Sequence, residues 1–295
     1  MKLVCYIQCA LGDFYEMLSV LPRLIADRGI AKEDVKFYVD SVYFVTDQYP
    51  REREAAIKMM ETVTKNWEIV PEELGSFMGL VFTSPEQQRP IGPVYDDIKH
   101  DFLFYRHDAT KKYIKSKIDK DTIFLSSIVA GCHLYEWVDG TNVKLDYEPK
   151  PLEFQLSVPE MARLEAKFDE SVLVHVRTKG HLKMDYFNSV IEYCEGLTGC
   201  HVVPVGTNKI CEELSFEEIM YAIGIAPLMI TGSSMFTYHR FHYNKPTIVV
   251  TSHFLGLPEK IYPKSALENP NHVFVNADTP CLDIVLGEVD KWNSK

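Results

Sequence analysis

The sequence lacks any apolar run long enough to cross a membrane. Its longest runs, such as "DTIFLSSIVAG" from Asp121 and "KPTIVVTSHF" from Lys245, have the length of buried strands. They fall well short of the roughly 20 residues that a bilayer requires. The amino terminus also lacks the small-residue cleavage site of a secretory signal. We therefore expect no membrane span and a cytoplasmic protein.

Positive charge is scarce as well. The chain has 31 Lys and Arg residues against 42 Asp and Glu residues, which gives a formal net charge of -11. This balance disfavours the basic surface of a non-specific nucleic-acid-binding protein. One stretch, Lys99 to Lys120, departs from this balance. Its basic and aromatic residues include Tyr105, Arg106, His107, Lys111, Lys112, Lys115 and Lys117. A charged run of this kind is usually a solvated face, and contact with nucleic acid is the alternative.

Signals for disulfides, metals and several enzyme classes are missing. The seven cysteines are odd in number and scattered through apparent strands and helices, which indicates reduced thiols. Their spacings do not form the paired ligand pattern of a zinc site. No HExxH, Asp-x-Asp, P-loop or Gly-x-Ser-x-Gly motif occurs in its required structural context. We expect neither a metal ion nor a bound cofactor.

What the sequence does contain is an alternation of strand and helix patterns. The segments "VKFYVDSVYFV" from Val35 and "DTIFLSSIV" from Asp121 predict strands, whereas "REREAAIKMMETVTKN" from Arg51 has the spacing of an amphipathic helix. Alternation of this kind is typical of α/β proteins with parallel sheets. With 295 residues, the chain is long enough for two domains.

A proline-rich segment divides the chain. Residues Asp146 to Glu160, "DYEPKPLEFQLSVPE", hold three prolines and no helical period, which predicts a linker. The alternation then restarts, and it includes a Ser-x-x-Glu capping box at Ser215 and Glu218. We predict two Rossmann-like, doubly wound α/β domains facing a cleft, at residues 1-150 and 151-295. The last helix is a candidate for packing back on the first domain.

The stretch "CALGDFYEMLSVLPRL", Cys9 to Leu24, follows the first strand pattern directly. It predicts a tight glycine turn and then a helix. Because ligands of open α/β sheets bind beyond the carboxyl ends of the strands, Gly12, Asp13 and Glu16 are candidate site residues. The alternative is that Asp13 only caps a helix that begins around Phe14.

Two loops of the second half have the composition of a diphosphate site. One loop, Arg177, Thr178 and Lys179, follows a strand, and the other, Gly232, Ser233 and Ser234, precedes a helix. Backbone N–H groups and one or two cations are what a departing pyrophosphate requires. We predict that these residues bind the phosphates of a nucleotide diphosphate donor. The alternative is that Arg177 and Lys179 are ordinary surface residues at the end of a strand.

Further candidates lie nearby. Gly206, Thr207 and Asn208 either border the nucleoside or form only a turn. His175, in the middle of a strand pattern, is expected to be a structural histidine, with a role near the phosphate as the alternative. Tyr238, His239, Arg240 and His242 follow the serine loop. Since only one helix face can point to a ligand, we select His239 as a phosphate ligand and take the others as packing or surface residues.

These segments resemble a known family. "ALGDFYEMLSVLPRL" resembles the Gly-Asp-x(5 to 6)-Leu-Pro opening of the heptosyltransferase family of GT-B glycosyltransferases. "LMITGSSMFTYHRFHYNKPTIVV" is similar to that family's strand, Asp-Ser/Thr-Gly loop, histidine-bearing helix and Lys-Pro-Thr strand. It departs from the family in two ways: Ile230 to Ser234 lack the carboxylate of the loop, and His239 lies a few residues further along than the family's histidine. "HVRTKG" and "TGSSMF" are similar to the His-x-Arg and Ser-Ser-x-Phe elements of fucosyltransferases.

Both resemblances imply transfer of a sugar from a nucleotide diphosphate sugar to an acceptor hydroxyl. They imply an inverting, metal-independent enzyme with the donor in the second domain and the acceptor mainly in the first. The resemblance places the general base at Asp13, with Glu16 as the substitute. A sugar-nucleotide epimerase on the same architecture and a non-catalytic nucleotide- or glycan-binding module are the two alternatives.

The acceptor stays open between two classes. Most proteins of this resemblance modify saccharides. The basic and aromatic stretch nevertheless lies in the presumed acceptor domain, and a DNA acceptor with a flipped hydroxymethylated base would need such residues. The candidate acceptor-binding residues are Gly12, Arg106, His107, Lys111 and Lys112.

Overall fold

The structure, a computed structural model, divides the chain into two units, Met1–Lys150 and Pro151–Lys295. Each unit contains one β-sheet, so the units are described separately. The described residues are 1–7, 11–39, 50–69, 119–128, 133–138, 141–144, 149–175, 184–197, 201–205, 214–232, 234–251, 258, 262–277 and 281–294.

The first unit contains a six-stranded sheet in the order β3-β2-β1-β4-β5-β6. Its elements are β1 (Lys2–Ile7), α1 (Leu11–Arg28), β2 (Val35–Val39), α2 (Pro50–Val63), β3 (Trp67–Ile69), β4 (Thr122–Ile128), β5 (His133–Val138) and β6 (Thr141–Lys144). Strands β1 to β4 are parallel, as predicted, whereas β5 and β6 are antiparallel. Only two residues separate β5 from β6, and a parallel connection would need a crossover of a dozen or more.

Helix α1 begins earlier than the sequence suggested. Leu11, Gly12 and Asp13 are its first three residues, so this tripeptide is helical and is not the predicted glycine turn. The alternative that Asp13 caps a helix beginning around Phe14 is therefore wrong. The helix contacts α2, and its fully buried side chains include Phe14, Tyr15, Met17, Leu18 and Leu21. Their three- and four-residue spacing explains why this segment forms a helix on an apolar surface.

The second unit has a five-stranded, entirely parallel sheet in the order β11-β10-β9-β7-β8. Its elements are α3 (Val158–Phe168), β7 (Ser171–His175), α4 (Met184–Glu195), β8 (His201–Val205), α5 (Phe216–Ile225), β9 (Leu228–Gly232), α6 (Met235–Phe241), β10 (Thr247–Thr251), α7 (Lys264–Leu267), β11 (His272–Asn276) and α8 (Leu282–Asn293). Strands β7, β9 and β10 are buried along their whole length, as expected of a sheet covered on both faces. The predicted class, α/β with two Rossmann-like units, is confirmed.

Two capping boxes start helices of this unit. In the predicted one, the Ser215 side chain accepts from Glu218 N, and the Glu218 carboxylate accepts from Ser215 N. A second box, Ser157 with Glu160, starts α3 in the same way. The predicted linker therefore ends earlier than expected, because this Ser-x-x-Glu signal and Pro159 in the first turn favour a helix start.

The last helix, α8, lies on the sheet of the second unit. Its buried Val285 and Val289 join Val172 and Val174 of β7 and Phe187 of α4 in one apolar cluster. Its predicted return to the first domain stays a prediction. Among the described residues, no helix combines the length and the apolar composition needed to cross a bilayer.

A buried arginine holds three elements of the second unit together. Arg240 of α6 is completely buried, which agrees with the predicted packing role and excludes the surface position that was its alternative. Its Nη1 donates to Ile223 O (2.6 Å) and Gly224 O (3.4 Å) at the end of α5. Its Nη2 donates to Pro246 O (3.0 Å), and its Nε donates to Thr247 Oγ1 (3.2 Å) at the start of β10.

The physical basis of this arrangement is the carboxyl end of helix α5. The last carbonyls of a helix have no partner within it and form the negative end of its dipole, so a cation is favoured there. Burial lowers the pKa of Arg240 to about 9. The guanidinium therefore still carries its charge at neutral pH, and backbone carbonyls replace the water that it loses.

We predict that Arg240→Met destabilises the second unit by about 3 kcal/mol or more, because several buried carbonyls lose a charged donor at once. Unfolding in urea measures this effect. The background should carry Trp67→Phe and Trp137→Phe, so that Trp292 alone reports on the second unit. Lys245→Met, which removes an exposed cation five residues away, is the matched control and should change the free energy of unfolding little. Equal effects of the two substitutions would contradict the role of Arg240.

Candidate functional site

The second sheet changes direction between β7 and β9. From β7 the chain moves outward to β8, and from β9 it moves outward on the other side to β10 and β11. The connections after these two neighbouring strands thus leave the sheet in opposite directions. In open α/β sheets, this topological switch point creates a crevice beyond the carboxyl ends of the strands, where ligands bind. His175 ends β7 and Gly232 ends β9.

A polar cluster lies at this switch point. We call it the strand-end cluster, and it consists of His175, Thr231, Ser234 and Thr237. His175 Nδ1 is 3.1 Å from Thr231 Oγ1 and 3.3 Å from Ser234 Oγ. The hydroxyls of Thr231 and Thr237 both donate to Gly232 O, at 2.8 and 2.6 Å. The cluster therefore joins β7, β9 and α6 at the edge where a ligand would bind.

The cluster is shielded from water. Thr231 and Thr237 are fully buried, and His175 is 6% exposed. The ring of Phe236 covers the imidazole of His175 edge-on at a centroid distance of 5.0 Å. Ser234 is half-buried and caps α6 by accepting from Thr237 N. Buried hydrogen bonds of this kind define loop geometry well because breaking them leaves unpaired polar groups.

The structure places some of the predicted donor residues at this edge. Gly232 and Ser234 lie there, beside His175. A structural role is expected for this histidine from the sequence, and a role near the phosphate is the alternative. Sequence reasoning missed Thr231 and Thr237. Their signal was the Thr-Gly-Ser-Ser sequence at the end of an apolar strand, with another threonine three residues beyond.

His239 lies elsewhere, in the core of the second unit. It is 1% exposed, its Nε2 contacts Met220 O at 2.9 Å, and its ring packs against Phe154 and Tyr243. Burial, helped by the nearby His242, lowers the pKa of His239 to about 3 although the hydrogen bond to Met220 O opposes this shift. A neutral, enclosed imidazole is a poor phosphate ligand, so this placement argues against the predicted contact.

The first sheet has a switch point of its own, between β1 and β4. From β1 the chain moves to β2 and β3 on one side, and β4 lies on the other. Helix α1 begins four residues after β1 ends, so its first turn follows the carboxyl end of a switch-point strand. Gly12 and Asp13 lie in that first turn, and the half-buried Glu16 lies three positions after Asp13.

The remaining predicted site residues lie outside the described residues, and their roles stay predictions. They are Arg106, His107, Lys111, Lys112, Arg177, Thr178, Lys179, Gly206, Thr207, Asn208 and Ser233. In the described part of the chain, no three His, Cys, Asp or Glu residues are grouped as metal ligands.

Comparison with known proteins finds similarity in structure alone. No family model and no curated protein matches the sequence. The ADP-heptose lipopolysaccharide heptosyltransferase II of E. coli is similar at 13% identity and a TM-score of 0.49, covering 99% of this chain and 98% of its own. A glycosyltransferase of kitacinnamycin is similar at 13% identity and a TM-score of 0.46, covering 100% and 91%. A family 9 glycosyltransferase from Veillonella parvula is similar at 10% identity and a TM-score of 0.45, covering 98% and 89%.

Heptosyltransferases are thus among the solved structures similar to this chain, in agreement with the resemblance predicted from its sequence. At these identities and TM-scores, no residue role is transferred from them. The fucosyltransferase-like elements stay a prediction, because Arg177 and Ser233 lie outside the described residues.

The buried histidines predict that acid destabilises the second unit. His239 has a pKa of about 3 when folded, against roughly 6.5 in an unfolded chain, so the unfolded state binds its proton first. Its contribution to stability is complete above pH 6.5 and is lost as the pH falls toward 3, by about 1.4 kcal/mol per pH unit. Burial also lowers the pKa of His242, to about 4, which adds to the same trend.

Urea unfolding at pH 7, 6 and 5, monitored through Trp292 in the background described above, measures this dependence. His239→Gln keeps a donor for Met220 O but cannot titrate, so it should reduce the loss of stability between pH 7 and pH 5 by about 2 kcal/mol. Lys245→Gln is the control and should leave the dependence unchanged. A pH dependence in His239→Gln equal to that of the wild type would show that His239 is not the titrating group.

Proposed function

We propose that the protein is an inverting glycosyltransferase that moves a sugar from a nucleotide diphosphate sugar to an acceptor hydroxyl. The observation that supports this most directly is the placement of Gly232 and Ser234 at the switch point of a parallel sheet. In this proposal the second unit binds the donor and the first unit binds the acceptor. The chemistry needs no metal ion.

The donor side rests on the chain positions that follow the strand-end cluster. Arg177 and Lys179 follow His175 by two and four residues, so the chain limits their Cα distances from it to about 7 and 14 Å. A departing nucleoside diphosphate gains negative charge on its oxygens. Arginine can bind two of them at once and lysine can neutralise the developing charge, which are roles that a metal ion has in other transferases. Gly206, Thr207 and Asn208 are assigned to the nucleoside.

The acceptor side rests on the start of α1. An alcohol is a poor nucleophile at neutral pH, so direct displacement requires a positioned base. Asp13 lies in the first turn of α1 and is the carboxylate to which the resemblance assigns this role. In the proposed step Asp13 accepts the hydroxyl proton, the acceptor oxygen bonds to the anomeric carbon, and the bond to the diphosphate oxygen breaks with its electron pair. Attack opposite the leaving group inverts the configuration.

The acceptor class and one further enzyme class can be separated by simple assays. We propose a saccharide acceptor, with Gly12 beside the base, and DNA bearing a hydroxymethylated base is the second candidate because of Arg106, His107, Lys111 and Lys112. Incubation with nucleotide sugars alone tests the epimerase alternative, since an epimerase isomerises its donor without an acceptor. A non-catalytic binding module would bind nucleotide sugar and turn over none.

We predict that Asp13→Asn lowers turnover by at least about 100-fold and leaves donor affinity unchanged, because asparagine cannot accept the proton. Helix α1 should lose no more than about 1 kcal/mol of charge–dipole stabilisation. Steady-state kinetics with the donor found in a nucleotide-sugar screen, together with thermal unfolding, measure both effects. Glu16→Gln is the matched control. Turnover of the Asp13 variant within a few-fold of the wild type would show that the base is Glu16 or one of the adjacent residues His107 and Asp108 of the basic and aromatic stretch.

We also predict that Arg177→Ala and Lys179→Ala weaken the binding of nucleoside diphosphate far more than that of nucleoside. Loss of one charge-assisted contact should cost roughly 1.5 to 3 kcal/mol. Isothermal titration with ADP, GDP and UDP and with the matching nucleosides measures the difference. Equal weakening of both ligands would contradict the assignment of this loop to the phosphates.

A further inference from the structure

We propose that His175 is a positioning residue of the donor site. In this proposal its imidazole carries the proton on Nδ1, donates it to Thr231, and so sets the spacing between the ends of β7 and β9. The inference rests on the proposed function, because it concerns the loops assigned there to the diphosphate. His175 is the histidine of the fucosyltransferase-like His-x-Arg element, and what is new is its protonation state and the contacts through which it acts.

The contacts show that His175 is the link between the two strand ends. His175 is the last residue of β7, and the ladder between β7 and β9 pairs Val172 to Val174 with Leu228 to Ile230. Beyond that ladder, the contacts of His175 Nδ1 with Thr231 Oγ1 (3.1 Å) and Ser234 Oγ (3.3 Å) continue the connection. The side chain thus extends the pairing of the strands to the residues where the two loops begin.

The hydroxyl protons of the cluster can be assigned from the distances. Gly232 O can only accept, and its short contacts with Thr231 Oγ1 (2.8 Å) and Thr237 Oγ1 (2.6 Å) use the single proton of each hydroxyl. Thr231 Oγ1 can then only accept from the imidazole. Ser234 can donate to Thr237 Oγ1, which lies 3.3 Å away. The contact between Nδ1 and Thr231 Oγ1 is therefore a hydrogen bond only if Nδ1 carries the proton.

The opposite tautomer fails for a specific reason. If Nδ1 were unprotonated, Ser234 could still donate to it, but Thr231 Oγ1, 3.1 Å away, would present a lone pair to the lone pair of Nδ1. Thr231 could relieve this contact only by turning its hydroxyl toward the ring, which gives up its short hydrogen bond to Gly232 O. Gly232 O would then keep only the donor of Thr237, and because both threonines are fully buried, water cannot take the place of Thr231. The Nδ1–H tautomer is therefore the one that satisfies this edge of the sheet, and it stabilises Gly232 directly before the serine loop.

Three substitutions test the positioning role. In His175→Asn, the amide nitrogen takes the place of Nδ1, whereas in His175→Gln it takes the place of Nε2, and His175→Leu offers no donor. We expect the Asn variant to bind ADP, GDP or UDP, whichever the wild type prefers, within about threefold of the wild-type Kd. The Gln and Leu variants should bind it about tenfold more weakly, which is the effect of one neutral hydrogen bond, with nucleoside affinity unchanged.

A merely structural histidine would give a different pattern. All three variants would then lower the melting temperature, and the ratio of nucleoside to nucleoside diphosphate affinity would stay at its wild-type value. That result would overturn the proposal. Wild-type binding of the nucleoside diphosphate by His175→Gln, with weaker binding by His175→Asn, would overturn it as well. Each affinity is compared with the thermal unfolding of the same variant, so that loss of fold is not mistaken for loss of phosphate binding.

Nitrogen-15 NMR of the wild-type histidine rings tests the protonation state without any ligand or activity. A protonated Nδ1 in His175, identified by the absence of its signal in His175→Asn, is the expected result, and an unprotonated Nδ1 would overturn the proposal. If the wild type binds no nucleoside diphosphate, the proposed function and the positioning role fail together. The tautomer assignment would still be confirmed or contradicted by its own spectrum.

Discussion

The second unit depends on one buried cation. Arg240 donates to the carboxyl end of α5 and to the start of β10, and it lies on the helix between β9 and β10. A guanidinium is costly to bury, and only a converging set of carbonyls offsets that cost. This requirement fixes how α5, α6 and β10 meet. Because α6 follows directly on the serine loop, the geometry of the switch point depends on a residue that contacts no ligand in our proposal.

The strand-end cluster has a related consequence for function. Its threonine and histidine hydrogen bonds are directed at one another and at Gly232 O, so these side chains define the edge of the site. Charged groups that bind a diphosphate would then come from the segments that follow, where Arg177 and Lys179 stand in the sequence. In α/β proteins, functional residues commonly lie on loops that a rigid sheet edge holds in position.

Local signals in the sequence predicted where the helices and strands lie better than they predicted what these elements contact in the folded protein. The alternation of patterns and the capping box at Ser215 were predictable, because each depends on neighbours a few residues apart. The parallel second sheet was predictable from that alternation, since strands that alternate with helices usually pair in parallel. The start of α1 was misjudged, since glycine at position 12 indicates a turn and is also tolerated in a helix. The antiparallel hairpin was missed because the pattern of a single strand does not specify its partner.

The sequence by itself determined the fold class, the order of strands and helices, and the short segments from which a diphosphate site could be built. Only the tertiary structure decided which side chains of one helix face the core and which reach the switch point. His239 and Arg240 are both buried in contacts with residues of α5 that precede them by 16 to 19 positions. His175 meets Thr231 across 56 residues. Such pairings arise because sheet order and helix packing bring distant residues together, and local spacing carries no record of that order.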